Sequence, residues 1–383
     1  MQTQAAVLWK QGEDWSVEDI ELDEPKAGEV KVKLAASGLC HSDEHLVTGD
    51  MVLDPEIASL VGLEQFPVIG GHEGAGEVVE VGPGVTTVKP GDHVVLGFIP
   101  SCGRCPNCAR GMQHLCELGA FLLAGRQVTD FTARHHATNG SDLGIMCCCG
   151  TFSPYTVVGE ATCVKIDDWI PLDKAALVGC GVTTGWGAAT YAAEVRSGET
   201  VVVVGLGGIG MNAVQGAVMA GARHVVAIDP VEWKRDLALS TFGATHAAAS
   251  MEEAAEIVGQ ITWGKNADKA ILTTGVATGD LIAPLLSLVA GGGRGVVVSV
   301  APIAQNDVQL NLFEFAMSRK QLVGCIFGNA NPRYDIPKLL RLYDEGKLKL
   351  DELVTNTYDL SEINQGYQDM RDGKNIRGVI SYA

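Results

Sequence analysis

The stretch from Glu199 to Pro230, ETVVVVGLGGIGMNAVQGAVMAGARHVVAIDP, constrains the fold more than any other part of the chain. It opens on an apolar, β-branched run that reads as a strand buried on both faces. The run breaks at Gly205, Gly207 and Gly210, spaced G-x-G-x-x-G, continues as a helix-like stretch, and ends in a second apolar run before Asp229. Strand, glycine turn, helix, strand and acidic residue in this order make up the dinucleotide-binding βαβ unit. Gly205 permits the tight turn, Gly207 lets the backbone approach a pyrophosphate, and Gly210 lets helix and strand pack closely. The helix start, with Gly208 and Ile209, offers free N–H groups to phosphate oxygens. Asp229, nineteen residues after Gly210, can accept from ribose hydroxyls and repels a 2′-phosphate, which favours NAD over NADP. An ordinary βαβ unit with a glycine-rich turn is the plainer alternative. Residues 201–222 are also long enough to cross a bilayer, but six glycines, Asn212 and Gln215 fit a strand turning into a helix better.

Downstream the alternation continues, with strand candidates at KAILTTG and RGVVVSVAP and helical stretches at 251–260 and 280–289. This is the pattern of an α/β doubly wound parallel sheet, the Rossmann type. The first 180 residues read differently, rich in short strands and Gly/Pro turns such as VGPGVTTVKPGDHVVLG. A chain of 383 residues has length for two domains, and 46% hydrophobic against 19% charged residues leaves no shortage of core. The expectation is a mostly-β amino-terminal domain followed by the nucleotide domain.

Eleven cysteines set a second constraint. The amino terminus has no basic segment followed by an apolar core, so the chain reads as cytoplasmic, where metal binding or catalysis explains thiols better than disulfides do. Four of them, Cys102, Cys105, Cys108 and Cys116, lie in SCGRCPNCARGMQHLC, spaced Cys-x2-Cys-x2-Cys-x7-Cys among Gly103, Pro106 and Gly111. Such a turning loop, about 99–118, can fold four thiolates around one structural zinc ion. An iron–sulfur cluster uses the same donors and is the alternative. The run Cys147, Cys148, Cys149 is read as extended chain, whose neighbours face opposite ways. These three are therefore expected to be buried apolar thiols and not a joint ligand set.

A net charge of −18 and no Lys/Arg cluster argue against nucleic acid, and an anionic membrane surface would repel the chain as well. A second metal site would need scattered residues: Cys40 in GLCHSDEH, His72 and Glu73 in GGHEGAGE, Cys180 in LVGCGVTTGWG. Spacing alone cannot unite them. Each has a plain reading as a buried thiol or a satisfied core histidine.

The strings GLCHSDEH, GGHEGAGEVVEVGPGV, the four-cysteine lobe, GCGVTTGWG and GLGGIG occur in the order of the zinc-dependent medium-chain alcohol dehydrogenases, and over essentially its whole length the chain resembles that family. Within it, the chain looks most like the bacterial nicotinoprotein branch, assayed with nitrosodimethylaniline as artificial acceptor. The resemblance implies a GroES-like catalytic domain over 1–181 and 327–383 around a Rossmann domain at 182–326.

It further implies two zinc ions per chain and NAD(H). Cys40, His72 and Cys180 match the catalytic zinc ligands, with Glu73 an occasional alternative. Ser42 and His45 match a proton relay, and Asp43 matches the carboxylate that orients His72. Thr184, Lys234 and Arg377 match cofactor contacts, Phe98 and Phe152 walls of the substrate pocket. The implied reaction is hydride transfer from an alcohol carbon to nicotinamide, with the proton leaving through Ser42 and His45.

Where many relatives place arginine after the first zinc cysteine, this chain has His41, so Arg377 is expected to carry more of the pyrophosphate charge. The apolar ELGAFLLAG after Cys116 implies neutral primary alcohols or aldehydes as partners, with an external redox acceptor where the cofactor is retained and a homo-oligomer expected. A conventional NAD-exchanging alcohol or formaldehyde dehydrogenase and a non-catalytic dinucleotide-binding relative are the alternatives.

Overall fold

The computed structural model describes residues 1–60 and 63–382. The chain divides into two compact units, Met1–Cys180 with Asn331–Ala383, and Gly181–Ala330. The second boundary falls four residues later than the expected 326/327. The turn Phe327–Asn329 stays with the second unit because the Gly328 backbone packs directly on Gly187 and on the carbonyls of Thr183 and Thr184.

In the first unit, strands β1 (Gln2–Leu8), β2 (Ser16–Leu22), β3 (Glu29–Gly38), β4 (Val68–Ile69), β5 (Gly74–Val81), β6 (His93–Leu96), β7 (His135–Ala137), β8 (Asp142–Ile145), β9 (Tyr155–Gly159) and β10 (Cys163–Lys165) are short and mostly antiparallel. Five of them close a barrel in the order β1-β2-β7-β8-β4. Closure leaves this sheet no open edge.

In the second unit β11 (Thr200–Val204), β12 (His224–Ile228), β13 (His246–Ala248), β14 (Ala267–Leu272), β15 (Val289–Val297) and β16 (Gln321–Gly324) form a wholly parallel sheet in the order β13-β12-β11-β14-β15-β16. Val201 to Val204 are buried without alternation, as a strand covered on both faces requires. The helix read at 280–289 ends at Ser287, and β15 begins at Val289, ahead of the expected RGVVVSVAP. The glycines at 291–293 are drawn into that strand through an irregular register against β14.

Beyond the second unit, β17 (Val354–Tyr358) and β18 (Arg377–Ser381) complete the first unit's second sheet, ordered β10-β6-β5-β3-β18-β17 with β9 also on β3. Residues Ala36 to Gly38 of β3 pair antiparallel with β18, which ties the carboxyl-terminal segment to the strand leading into Cys40.

The triple cysteine departs from the extended reading. Cys147 and Cys148 have φ of +50° and +59°, inside a left-handed turn, and all three thiols are buried. Burial pushes the Cys147 and Cys148 thiols up to about 12, so they pack as neutral apolar groups. Among the described residues no helix is long and apolar enough to cross a membrane.

Candidate functional site

The four lobe cysteines fold to one point. Their sulfurs lie within 4.8 Å of one another, with Cys102 Sγ and Cys108 Sγ 3.9 Å apart, and none forms a disulfide. Tetrahedral thiolates at about 2.3 Å from zinc stand roughly 3.8 Å apart. Backbone N–H groups are already aimed at the sulfurs: Cys105 donates to Cys102 at 3.3 Å and Cys108 to Cys105 at 3.4 Å. Hydrogen bonds from the backbone of Glu117 and Cys108 bring the Cys105 thiol down to about 6, which favours the thiolate a metal needs. The donor chemistry fits a closed zinc site.

A second cluster gathers Cys40, His72, Glu73 and Cys180, whose ligand atoms also lie within 4.8 Å of one another and which are all buried. Cys40 caps the helix His41–Thr48, His72 and Glu73 lead into β5, and Cys180 follows the turn Ala176–Gly179. Gly71 makes the approach possible. Its φ is +85°, and a Cβ there would meet the Phe152 backbone nitrogen at 2.8 Å.

Charge decides how these four groups divide. The Arg377 guanidinium is hydrogen-bonded to the Glu73 carboxylate, both buried. Burial alone would lower Arg377, but Glu73 and then the Cys40 and Cys180 sulfurs overcome it and hold the guanidinium above its ordinary value. One Glu73 oxygen is thus engaged by Arg377, and two thiols and one imidazole stand beside it. That set matches a zinc site with an open fourth position, and two thiolates neutralise a divalent ion. The structure therefore places Arg377 beside the sulfurs, in a role the sequence reading did not give it. The Cys40 thiol is held well below its usual range by its hydrogen bond with Cys180, whose own thiol is pushed up in turn.

Asp43 lies behind His72 with no exposed surface. Its Oδ2 is 3.1 Å from His72 Nδ1, and its Oδ1 accepts the Gly71 N–H at 2.7 Å. Burial would push His72 down, yet Asp43 and Cys40 outweigh it and raise the ring well above its ordinary value. Nδ1 faces Asp43, which leaves Nε2 as the nitrogen available to a metal.

Ser42 and His45 share the helix that begins after Cys40. Ser42 Oγ lies 3.7 Å from Cys40 Sγ, and the buried His45 places Nδ1 3.0 Å from Asp50 Oδ2. Asp50, which the sequence reading missed, also accepts from Thr48 Oγ1 at 2.6 Å. Its signal was a carboxylate placed just past the end of the His45 helix. Tyr367, also missed, donates from its hydroxyl to the Cys40 carbonyl at 3.4 Å. His41 is exposed, its ring 6.2 Å from that of His45.

Phe98 is half-buried with its ring edge-on to His72 at 5.7 Å. Phe152, expected as a second wall, has no exposed surface. Trp15 at 5.5 Å and Tyr367 at 6.3 Å enclose its ring, so it stands behind the surface and supports it.

The second unit holds the remaining candidates. Gly205 has φ of +94°, and a Cβ there would meet the Thr273 carbonyl at 2.8 Å; at Gly210 a Cβ would run into the Gly205 carbonyl. Around Gly207 there is open space, and the helix Gly208–Met219, with half-buried Ile209 in its first turn, starts there. This is a cradle shaped for a phosphate at a helix start. Asp229 follows β12 and is oriented by accepting the N–H groups of Leu206 at 2.8 Å and Val231 at 2.9 Å. Burial depresses Lys234 although Asp229 pulls it back up. Thr184 lies on a helix whose Gly185 abuts the Ile209 carbonyl, and its Oγ1 is buried without a partner. An orphaned hydroxyl beside this cradle fits a bound dinucleotide.

Residues 26–168 match the family described as alcohol dehydrogenase GroES-like domain, and residues 208–345 match the family described as zinc-binding dehydrogenase. The chain is 51% identical over 382 residues to alcohol dehydrogenase B of Mycobacterium tuberculosis, covering 100% of this chain and 99% of that one. It is 50% identical over 383 residues to the NDMA-dependent alcohol dehydrogenase of Amycolatopsis methanolica, covering all of both. A crystal structure of an alcohol dehydrogenase zinc-binding domain protein from Burkholderia ambifaria superposes with a TM-score of 0.90 at 30% identity, covering 100% of this chain and 99% of that one. Two family matches, two full-length relatives at half identity and a buried Cys-His-Cys donor set agree: the chain belongs to the zinc-binding medium-chain alcohol dehydrogenases.

Proposed function

We propose that this alcohol dehydrogenase keeps its NAD(H) bound through turnover, oxidises neutral primary alcohols to aldehydes, and returns the electrons to an external acceptor. The observation that carries the reading is the 50% identity, over the full length of both chains, to a dehydrogenase described as NDMA-dependent. Cys40, His72 and Cys180 hold the catalytic zinc and Cys102, Cys105, Cys108 and Cys116 the structural one; Gly205 to Gly210, Thr184, Asp229 and Lys234 bind the dinucleotide. Bound zinc supplies Lewis acidity, which lowers an alcohol's pKa from roughly 16 toward neutrality, and bound NAD supplies the hydride acceptor.

The chain's own groups handle the proton. Ser42 Oγ, next to the Cys40 sulfur, takes it from the substrate hydroxyl. His45, whose Nδ1 lies 3.0 Å from Asp50 Oδ2, is the next proton carrier on the way to solvent. Phe98 and Leu122, packed on one apolar cluster, suit a neutral substrate better than a charged one. A homo-oligomer formed through the second unit is part of the proposal. Leu312, Phe313 and Met317 are each at least 70% exposed on the helix just ahead of β16, the last strand of its sheet.

The test is the ultraviolet spectrum of extensively dialysed protein before and after adding a primary alcohol, without free NAD. The expected result is a reduced-nicotinamide band, stoichiometric with protein and discharged by an artificial acceptor. Activity that appears only on adding NAD would overturn cofactor retention and leave a conventional dehydrogenase.

A further inference from the structure

We propose that the second unit carries another small-molecule site, at the amino-terminal edge of its parallel sheet, that takes a planar anion. An open depression of about 430 Å³ lies there, among Thr200, Arg223, His224, Trp263, Lys265 and Asp268. That volume lies within the roughly 300–1,000 Å³ range of ligand pockets. Thr200 begins β11 and Gly205 follows its end, so at about 3.3 Å per residue the depression is roughly 16 Å from the dinucleotide turn. It is therefore separate from the cofactor site.

The chain carries a net charge of −18, yet this rim presents unpaired cations. Neither Arg223 nor Lys265 forms an ion pair among the described residues, and both are exposed. One carboxylate, Asp268, lines the depression, and Glu199 lies next to Thr200 in sequence. Asp268 accepts the Thr200 N–H at 2.8 Å, and Glu199 accepts the Arg196 N–H at 2.8 Å and lies 3.7 Å from Lys269. Burial, Arg223 and His246 hold His224 below the usual imidazole range, so the positive charge comes from Arg223 and Lys265.

Trp263 supplies the planar surface. It is 74% exposed, and its backbone takes φ of +54°, with Gly264 left-handed after it. A bulky residue in that conformation is strained, and the indole stands exposed. The Arg223 guanidinium sits over the ring at 5.2 Å. An aromatic plate with a guanidinium and an ammonium beside it recognises a flat ring that bears a carboxylate or phosphate, by stacking and by charge-assisted hydrogen bonds. Arene carboxylates and nucleotide monophosphates both meet this description.

The experiment follows the tryptophan indole N–H resonances of the NAD-loaded enzyme, where the dinucleotide site is already filled, during titration with benzoate and separately with AMP. The chain has six tryptophans, and the Trp263 resonance is the one missing from Trp263→Phe. The expected result is a saturable shift of that resonance alone with a Kd of about 1 mM or tighter. The same shift should weaken at least about tenfold in Arg223→Gln/Lys265→Gln, whose other five resonances stay in place. A shift with benzoate alone identifies arene carboxylates, and a shift with AMP alone identifies nucleotides. No shift with either at about 10 mM, or a shift undiminished in the double variant, overturns the site.

Discussion

Replacing Asp43 with asparagine keeps the size of a fully buried side chain and removes its charge. The carboxylate accepts the Gly71 N–H at 2.7 Å on one oxygen, and its other oxygen faces His72 Nδ1 at 3.1 Å. An amide offers one oxygen, so its NH2 must face one of those two nitrogens. Either the Gly71 N–H loses its acceptor, or the imidazole shifts its proton to the nitrogen that zinc requires. A hydrogen bond to a charged group contributes about 1.5–3 kcal/mol against about 0.5–1.5 for a neutral one, and a stranded buried donor costs about 1–3 kcal/mol. The net loss is about 1.5–3 kcal/mol, or roughly 10- to 100-fold, in the range found when the partner of a ligating histidine is removed. The assay is zinc content against rising chelator concentration, read with kcat at saturating alcohol. One zinc per chain should leave at 10- to 100-fold lower chelator concentration while the lobe zinc stays and the melting temperature moves little. Wild-type retention of both ions with wild-type kcat would refute the positioning role of Asp43.

Cys105→Ser removes a thiolate from the closed lobe, where metal binding contributes to folding directly. The lobe zinc should be lost and the melting temperature should fall by roughly 5 °C or more, while the Cys40 centre keeps its ion. An unchanged melting curve would show that the lobe is not a structural metal site. His135 is fully buried, and burial lowers its ring to about 3 from an ordinary 6.5. The unfolded chain binds that proton first, so stability falls as pH drops from about 6.5 toward 3. In His135→Gln the urea midpoint should depend less on pH between 6.5 and 4 than in the wild type, and parallel curves would count against this origin of acid sensitivity.

The lobe was legible because its four donors lie within fifteen residues, and a loop that short can only bring them together. The glycine turn was legible for the same reason. The Cys40 centre was not, because β3, β5 and the turn before Cys180 bring its donors together across long separations, and only the resemblance joined them. Fine structure was lost where tertiary contact overrides local pattern. The Glu73–Arg377 pair joins residues 304 apart and gave Arg377 a partner that no motif predicts. Cys147 and Cys148 turn left-handed where adjacent β-prone residues read as extended chain, and Phe152 is closed in by Trp15 and Tyr367, which come from opposite ends of the sequence.

Interruption of the first unit also gives its catalytic centre an order of birth. Cys40, His72 and Cys180 leave the ribosome early, whereas Arg377 follows Cys180 by 197 residues. At 5–20 residues per second that interval is about 10–40 s. Until β18 is made, Ala36 to Gly38 of β3 lack the strand they pair with in the finished fold, and Glu73 lacks Arg377. The Glu73 carboxylate therefore gains its buried counter-ion only when the carboxyl-terminal segment is made and docks.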